Sequence, residues 1–240
     1  MPKLYVAGDS FACLSRTQDI GSSWSELVAV ELNHELVNIS RPGSSNESIC
    51  IQIDWIANEV GMDDFIVIML TDSFRKSFVN PDINLTEKHL LTYHSLHEGQ
   101  RYLGEDIFQN EPYINVYTHL NAKTEDAKFF FKNMYNYTYQ KYLDITLISG
   151  ALAKLKTKTD KFLVVSGGFN DEIYTTPYHV TSDTFAINNS QFLDLSSSKI
   201  LRISNDPKSY NHICIEGHKK ISSLIYKFIA EWRRGISTGS

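Results

Sequence analysis

Apolar positions along the chain alternate between two rhythms. Lys3 to Ala7, His34 to Ser40, Asp64 to Leu70 and Lys161 to Gly168 are short apolar runs that end in glycine, proline or small polar residues. Runs of that length with β-branched residues predict buried strands ending in turns. Between and after them the spacing changes to three and four. Trp24 to Leu32 predicts an amphipathic helix capped by Ser22 or Ser23, and Glu47 to Ile56 a second with Ile49, Ile53 and Ile56 on one face. Glu216 to Arg234 predicts a closing helix that turns Ile221, Leu224, Ile225, Phe228 and Trp232 inward. Strand, helix and strand in alternation predict a three-layer α/β/α sandwich around a mainly parallel sheet, because strands covered on both faces read as continuous apolar runs.

The rhythm is interrupted over about 84–146. Asp126 to Ala153 reads as one or two long helices, Glu87 to Thr118 as irregular, and no strong strand is expected in the interval. We therefore expect one domain over 1–240, with the interruption forming an insertion or cap. Asp183 to Arg202 reads as a loop with short segments. The Lys154 to Lys161 stretch alternates with Thr and Leu and reads as a solvated helix end.

Composition narrows the function classes. The 240 residues, 42% hydrophobic, suit one sizeable core. A formal charge of −5 and a pI near 5.9, with cations scattered, point away from nucleic acid as a partner. Cys13, Cys50 and Cys214 form an odd set without ligand spacing, which signals neither a disulfide framework nor a metal site. No cofactor-cradling glycine pattern follows the first strand. The absence of an apolar leader or an 18-residue apolar stretch predicts no membrane span and synthesis in a cytoplasm.

The candidate chemistry lies at strand ends. Gly8-Asp9-Ser10 follows the first strand, where open α/β sheets place their ligands. The tract Pro42-Gly43-Ser44-Ser45-Asn46 follows the second, Thr71-Asp72-Ser73-Phe74-Arg75 the third, and Asn211-His212 precedes the last helix. In order and spacing these blocks resemble the SGNH, or GDSL-like, hydrolases. That resemblance implies a flavodoxin-like sheet, Ser10 as nucleophile, His212 as base, and oxyanion donors from the Ser10 and Gly43 backbone. A serine in this role needs both a base within hydrogen-bond reach and preorganised donors.

Two positions depart from the family pattern. Ser73 stands where the family carries a third oxyanion donor, an asparagine; Ser73 itself or Arg75 would have to supply it, or Arg75 is a surface or substrate-binding cation. The acid that orients the histidine is absent three residues upstream, where Ser209 stands; Asp206 would have to reach it, or His212 works in a dyad. Asn46 either touches substrate or caps its helix. Asp9 is expected to bond loop amides, Cys13 to be a buried small hydrophobe, and His218 to cap or pack rather than bind metal. His89, His94 and His97 are read as surface or cleft residues.

The implied activity is cleavage of a carboxylic ester, with an O-acetyl or short acyl group on a carbohydrate as substrate. Tyr93, Tyr102, Tyr113, Tyr117, Tyr135, Tyr137 and Tyr139 suit either stacking on sugars or packing between helices. The two departures equally fit a catalytically weak SGNH-like module that binds carbohydrate or serves a larger assembly. The Thr-x-Ser-x-Arg variant is similar to phage-encoded members, which would allow a virion-associated role. Homo-oligomerisation or an assembly partner is left open by the sequence.

Overall fold

A computed structural model describes residues 1–13, 21–41, 44–79, 113–116, 125–167, 169, 180–195, 213 and 215–234. Its core is a five-stranded, wholly parallel sheet. In chain order the strands are β1 (Lys3–Ala7), β2 (Glu35–Asn38), β3 (Phe65–Met69), β4 (Lys76–Val79), β5 (Tyr113–Val116), β6 (Phe162–Val165) and β7 (Phe192–Leu193). The sheet order is β2-β1-β3-β6-β7, and β4 and β5 pair separately as an antiparallel ribbon. With the ribbon set aside this is the flavodoxin-like 2-1-3-4-5 order. The β5 strand lies within 84–146, where no strong strand was expected, and β7 forms a sheet edge within the stretch expected to be a loop with short segments. Both are short, and β7 has just two residues, too few to carry a hydrophobic period.

Helices α1 (Trp24–Leu32) and α5 (Ile215–Arg233) cover one face, and α2 (Asn46–Glu59) and α4 (Tyr137–Lys156) the other. A shorter helix, α3 (Glu125–Asn133), precedes α4. The period of two sorts the strands: Leu4 and Val6 pack toward Trp24, Val28 and Ile225, while Tyr5 and Ala7 pack toward Ile49, Ile53 and Ile148. Burying each such side chain contributes about 1.5–3 kcal/mol, so the two apolar layers are the main source of stability. The closing helix differs in one place from its expected face, since Leu224 is 38% exposed and Ile229 is buried instead.

Helix boundaries follow local chemistry. Ser23 caps α1 in a capping box, accepting from the Glu26 N–H while the Glu26 carboxylate accepts from the Ser23 N–H. Ser45 caps α2 by accepting from the Ser48 N–H. Residues 137–146, within the interrupted stretch, are the first half of α4. Further along α4, Ile148, Leu152 and Leu155 lie in the core, and Thr157 ends the helix among the expected solvated lysines. Among the described residues no helix is long and apolar enough to cross a membrane.

Candidate active site

Strand order reverses between β1 and β3, and the carboxyl ends of those strands carry Gly8-Asp9-Ser10 and Thr71 to Arg75. Such a reversal leaves a crevice for ligands. The chain turns sharply after Ala7, and the Asp9 carbonyl accepts from the Ala12 and Cys13 N–H groups at 3.0 and 3.1 Å. Gly8 is required there, because a Cβ would stand 2.7 Å from the Ala12 Cβ and 3.0 Å from the Met69 carbonyl oxygen. Ser10 sits half-buried on this bend.

Gln52 of α2 holds the bend from below. Its Oε1 accepts from the Gly8 N–H at 2.7 Å, and its Nε2 donates to the Gly8 carbonyl and the Ser44 hydroxyl, each at 3.2 Å. The Arg41 N–H also donates to the Gly8 carbonyl at 3.1 Å, and the Ser44 N–H to the Arg41 carbonyl at 3.2 Å. The residues flanking Pro42 and Gly43 are thereby tied to the bend that carries Ser10. Gly43 itself, like His212 and Asp206, lies outside the described residues, as do His89, His94, His97, Cys214, Tyr93, Tyr102 and Tyr117. Ile213, the neighbour of His212, is buried in the same apolar cluster as Ala12 and Trp24.

Asp9 does more than bond loop amides. Its side chain is 1% exposed; Oδ1 accepts from the Phe11 N–H at 3.0 Å, as expected, while Oδ2 accepts from the Thr71 hydroxyl at 2.8 Å and pairs with Arg75 Nη1. Arg75 is therefore turned inward, but onto Asp9. A guanidinium on a buried carboxylate makes a charge-assisted bond about twice as strong as a neutral one.

Ser73 is 1% exposed; its carbonyl accepts from Tyr135 Oη at 2.8 Å, and its buried hydroxyl meets no hydrogen-bond partner among the described residues. Asn46 corrects one expectation. The cap of α2 is Ser45, and Asn46 is fully buried, its Nδ2 donating to the Thr71 carbonyl and Asp144 Oδ2 at 2.8 and 2.9 Å and its Oδ1 accepting from the Thr71 N–H at 3.0 Å. Both Nδ2 hydrogens and the Oδ1 thus bond within the protein.

Asp144 was not singled out by the sequence. Gln140 Nε2 donates to its Oδ1 at 2.7 Å, and burial pushes its pKa up to about 6 against the pull of its amide donors. Its neighbour Lys141 is 2% exposed, with Nζ 5.3 Å from the Phe169 ring centroid. Desolvation lowers the Lys141 pKa, partly offset by Asp72 and Asp194. Both residues had a signal: stepping back from Leu155, Leu152 and Ile148 by three or four lands on Asp144 and Lys141.

The other candidates are structural. His218 Nδ1 accepts from the Trp24 N–H at 3.2 Å, so this histidine of α5 caps the first turn of α1 and packs the two helices together. Cys13 is buried and burial drives its thiol pKa far up, which removes it as a rival nucleophile. Cys50 is likewise pushed up to about 12 by burial. Arg41 is buried too, and loss of solvent lowers its pKa to about 10. Tyr135 and Tyr137 pack on Phe74, with the Tyr137 and Phe74 rings stacked at 4.4 Å, whereas Tyr139 is exposed. Among the described residues no group of three or more His, Cys, Asp or Glu side chains is arranged to hold a metal ion.

The chain matches no protein-family model and no curated protein. Several solved structures are similar. A protein assigned to the G-D-S-L lipolytic family from Desulfitobacterium hafniense aligns over 95% of this chain and 99% of its own, at 11% identity and a TM-score of 0.45. An acetyl xylan esterase from the rumen bacterium Butyrivibrio proteoclasticus aligns over 98% of this chain, at 10% identity and a TM-score of 0.45. A carbohydrate esterase aligns over 96%, at 9% identity and the same TM-score of 0.45. The chain spans 65% of the length of each of these last two. With TM-scores under 0.5, the fold rests on the molecule's own strand order and layers, a flavodoxin-like α/β/α sandwich.

Proposed function

We propose that the protein is a serine hydrolase of the SGNH type that cleaves a carboxylic ester, with Ser10 as nucleophile. The observation that carries this reading is the placement of Ser10 on a tightly tied bend at the β1 and β3 switch point. In the reaction, Ser10 Oγ bonds to the ester carbonyl carbon while its proton passes to His212. The Ser10 and Gly43 N–H groups receive the oxyanion, each such donor contributing about 3 kcal/mol to the transition state. Collapse of the tetrahedral species breaks the carbon–oxygen bond to the alcohol, which leaves with the proton from His212. Water, deprotonated by His212, then releases the acyl group as its acid and restores the Ser10 hydroxyl.

The histidine is oriented either by Asp206 or by backbone in a dyad. Because Arg75 is committed to Asp9, the oxyanion is served by backbone donors. The substrate is an O-acetyl or short acyl ester on a carbohydrate. A second reading, a catalytically weak module that binds carbohydrate or serves an assembly, is favoured by the burial of Ser73 where a third donor is expected.

The test is hydrolysis of para-nitrophenyl acetate together with labelling by a fluorophosphonate probe. Wild type should label and turn over, and Ser10→Ala and His212→Ala should each lose about a thousandfold or more in kcat. A wild type that neither labels nor turns over, with carbohydrate binding unchanged in Ser10→Ala, would establish the second reading.

A further inference from the structure

We infer that Arg75 is a positioning residue for the nucleophile, acting through Asp9; the inference rests on the hydrolase reading of Ser10. The Asp9 side chain ties together the residues on either side of Ser10. From the residue before it, Oδ1 accepts the Phe11 N–H at 3.0 Å, while Oδ2 is anchored to the end of β3 by the Thr71 hydroxyl at 2.8 Å and by Arg75 Nη1. The Asp9 carbonyl adds two further ties, to the Ala12 and Cys13 N–H groups. Ser10 is thus the residue spanned by this clamp, with its N–H and Oγ both set by where Asp9 sits.

Arg75 is what allows that carboxylate to be an anchor. Asp9 is 1% exposed, so water cannot share the load, and the neutral Thr71 hydroxyl and Phe11 amide do not balance its charge. The guanidinium supplies that balance from the segment between β3 and β4. A carboxylate freed from β3 would let the 9–11 bend shift, and displacements near 1 Å at reacting groups cost about a hundredfold in rate. Since Arg75 holds the nucleophile and not the substrate, its loss should fall on kcat.

The experiment compares wild type, Arg75→Ala, Arg75→Lys and Thr71→Val for turnover of para-nitrophenyl acetate and for the rate of fluorophosphonate labelling. Assays run well below each variant's Tm, with circular dichroism confirming the fold. We expect Arg75→Ala to lose about a hundredfold in kcat and in labelling rate, with KM within about twofold. Arg75→Lys should recover part of that loss by restoring the charge, and Thr71→Val should show a smaller kcat loss. If Arg75→Ala does not fold, the lysine and valine variants carry the test. Wild-type kcat and labelling in the folded variants, or a loss confined to KM, overturns the positioning role and leaves the hydrolase reading intact. An unlabelled wild type overturns both.

Discussion

Two buried aspartates flank the end of β3, and they have opposite surroundings. Asp9, on the bend after β1, meets a guanidinium and a hydroxyl; Asp144, on α4, meets two side-chain amides. Each is 1% exposed. One intermediary, Thr71, joins them: its hydroxyl bonds Asp9, and its backbone N–H and carbonyl bond Asn46, which in turn bonds Asp144. Equal burial therefore does not give equal chemistry. A carboxylate paired with a guanidinium is a mechanical anchor, whereas at Asp144 burial outweighs the pull of its amide donors and raises the pKa to about 6.

The largest effect should come from removing the cation. Arg75→Ala leaves Asp9 buried without its partner, a change that costs about 3–5 kcal/mol when a buried pair is broken from one side. Urea unfolding at pH 7 measures it, and Asp9→Asn in the same chain should recover part of the loss by removing the stranded charge. A cost below about 1 kcal/mol would mean that solvent reaches Asp9, and the contrast with Asp144 would collapse.

The next effect is a pH dependence located at Asp144. Its folded pKa is raised from 3.8 to about 6, so roughly two units of proton affinity, or about 3 kcal/mol, separate the folded and unfolded chains. Because the folded value is the higher, the stabilising contribution is complete below about pH 4 and is lost as pH rises through 6. Asp144→Asn removes that dependence. The difference in unfolding free energy between wild type and this variant should grow in favour of wild type as pH falls from 7 to 4; a constant difference would show that Asp144 ionises freely.

The contrast between the two aspartates also marks what could be read from the chain. The parallel sheet, both covering layers and the cap of α1 at Ser23 were legible, because each follows from local apolar spacing or cap chemistry. Asp9 was legible only in part: its bond to Phe11 lies two residues away, but its bonds to Thr71 and Arg75 cross more than sixty residues. Asn46 was misassigned as a cap for the same reason, since its partners Thr71 and Asp144 lie far along the chain and nothing nearby in sequence announces them. Asp144 was overlooked because the inward stripe of α4 turns polar at its N-terminal half, where a reading for apolar residues stops.

That half of α4 holds a third buried charge, and it offers the finest test of the comparison. Lys141 lies one turn from Asp144 on the same helix; burial lowers its pKa, with Asp72 and Asp194 pulling it back, while burial raises that of Asp144. The aromatic ring of Phe169 is its near neighbour. Lys141→Met keeps the volume and removes the desolvated ammonium, and should raise stability at pH 7 by about 1 kcal/mol, the lower end of what replacing buried charges yields. Combined with Asp144→Asn in a double-mutant cycle, the two changes should add to within about 0.5 kcal/mol. A coupling well above that would mean the lysine serves Asp144 as Arg75 serves Asp9, and the two aspartates would differ in the length of their partner's reach and not in kind.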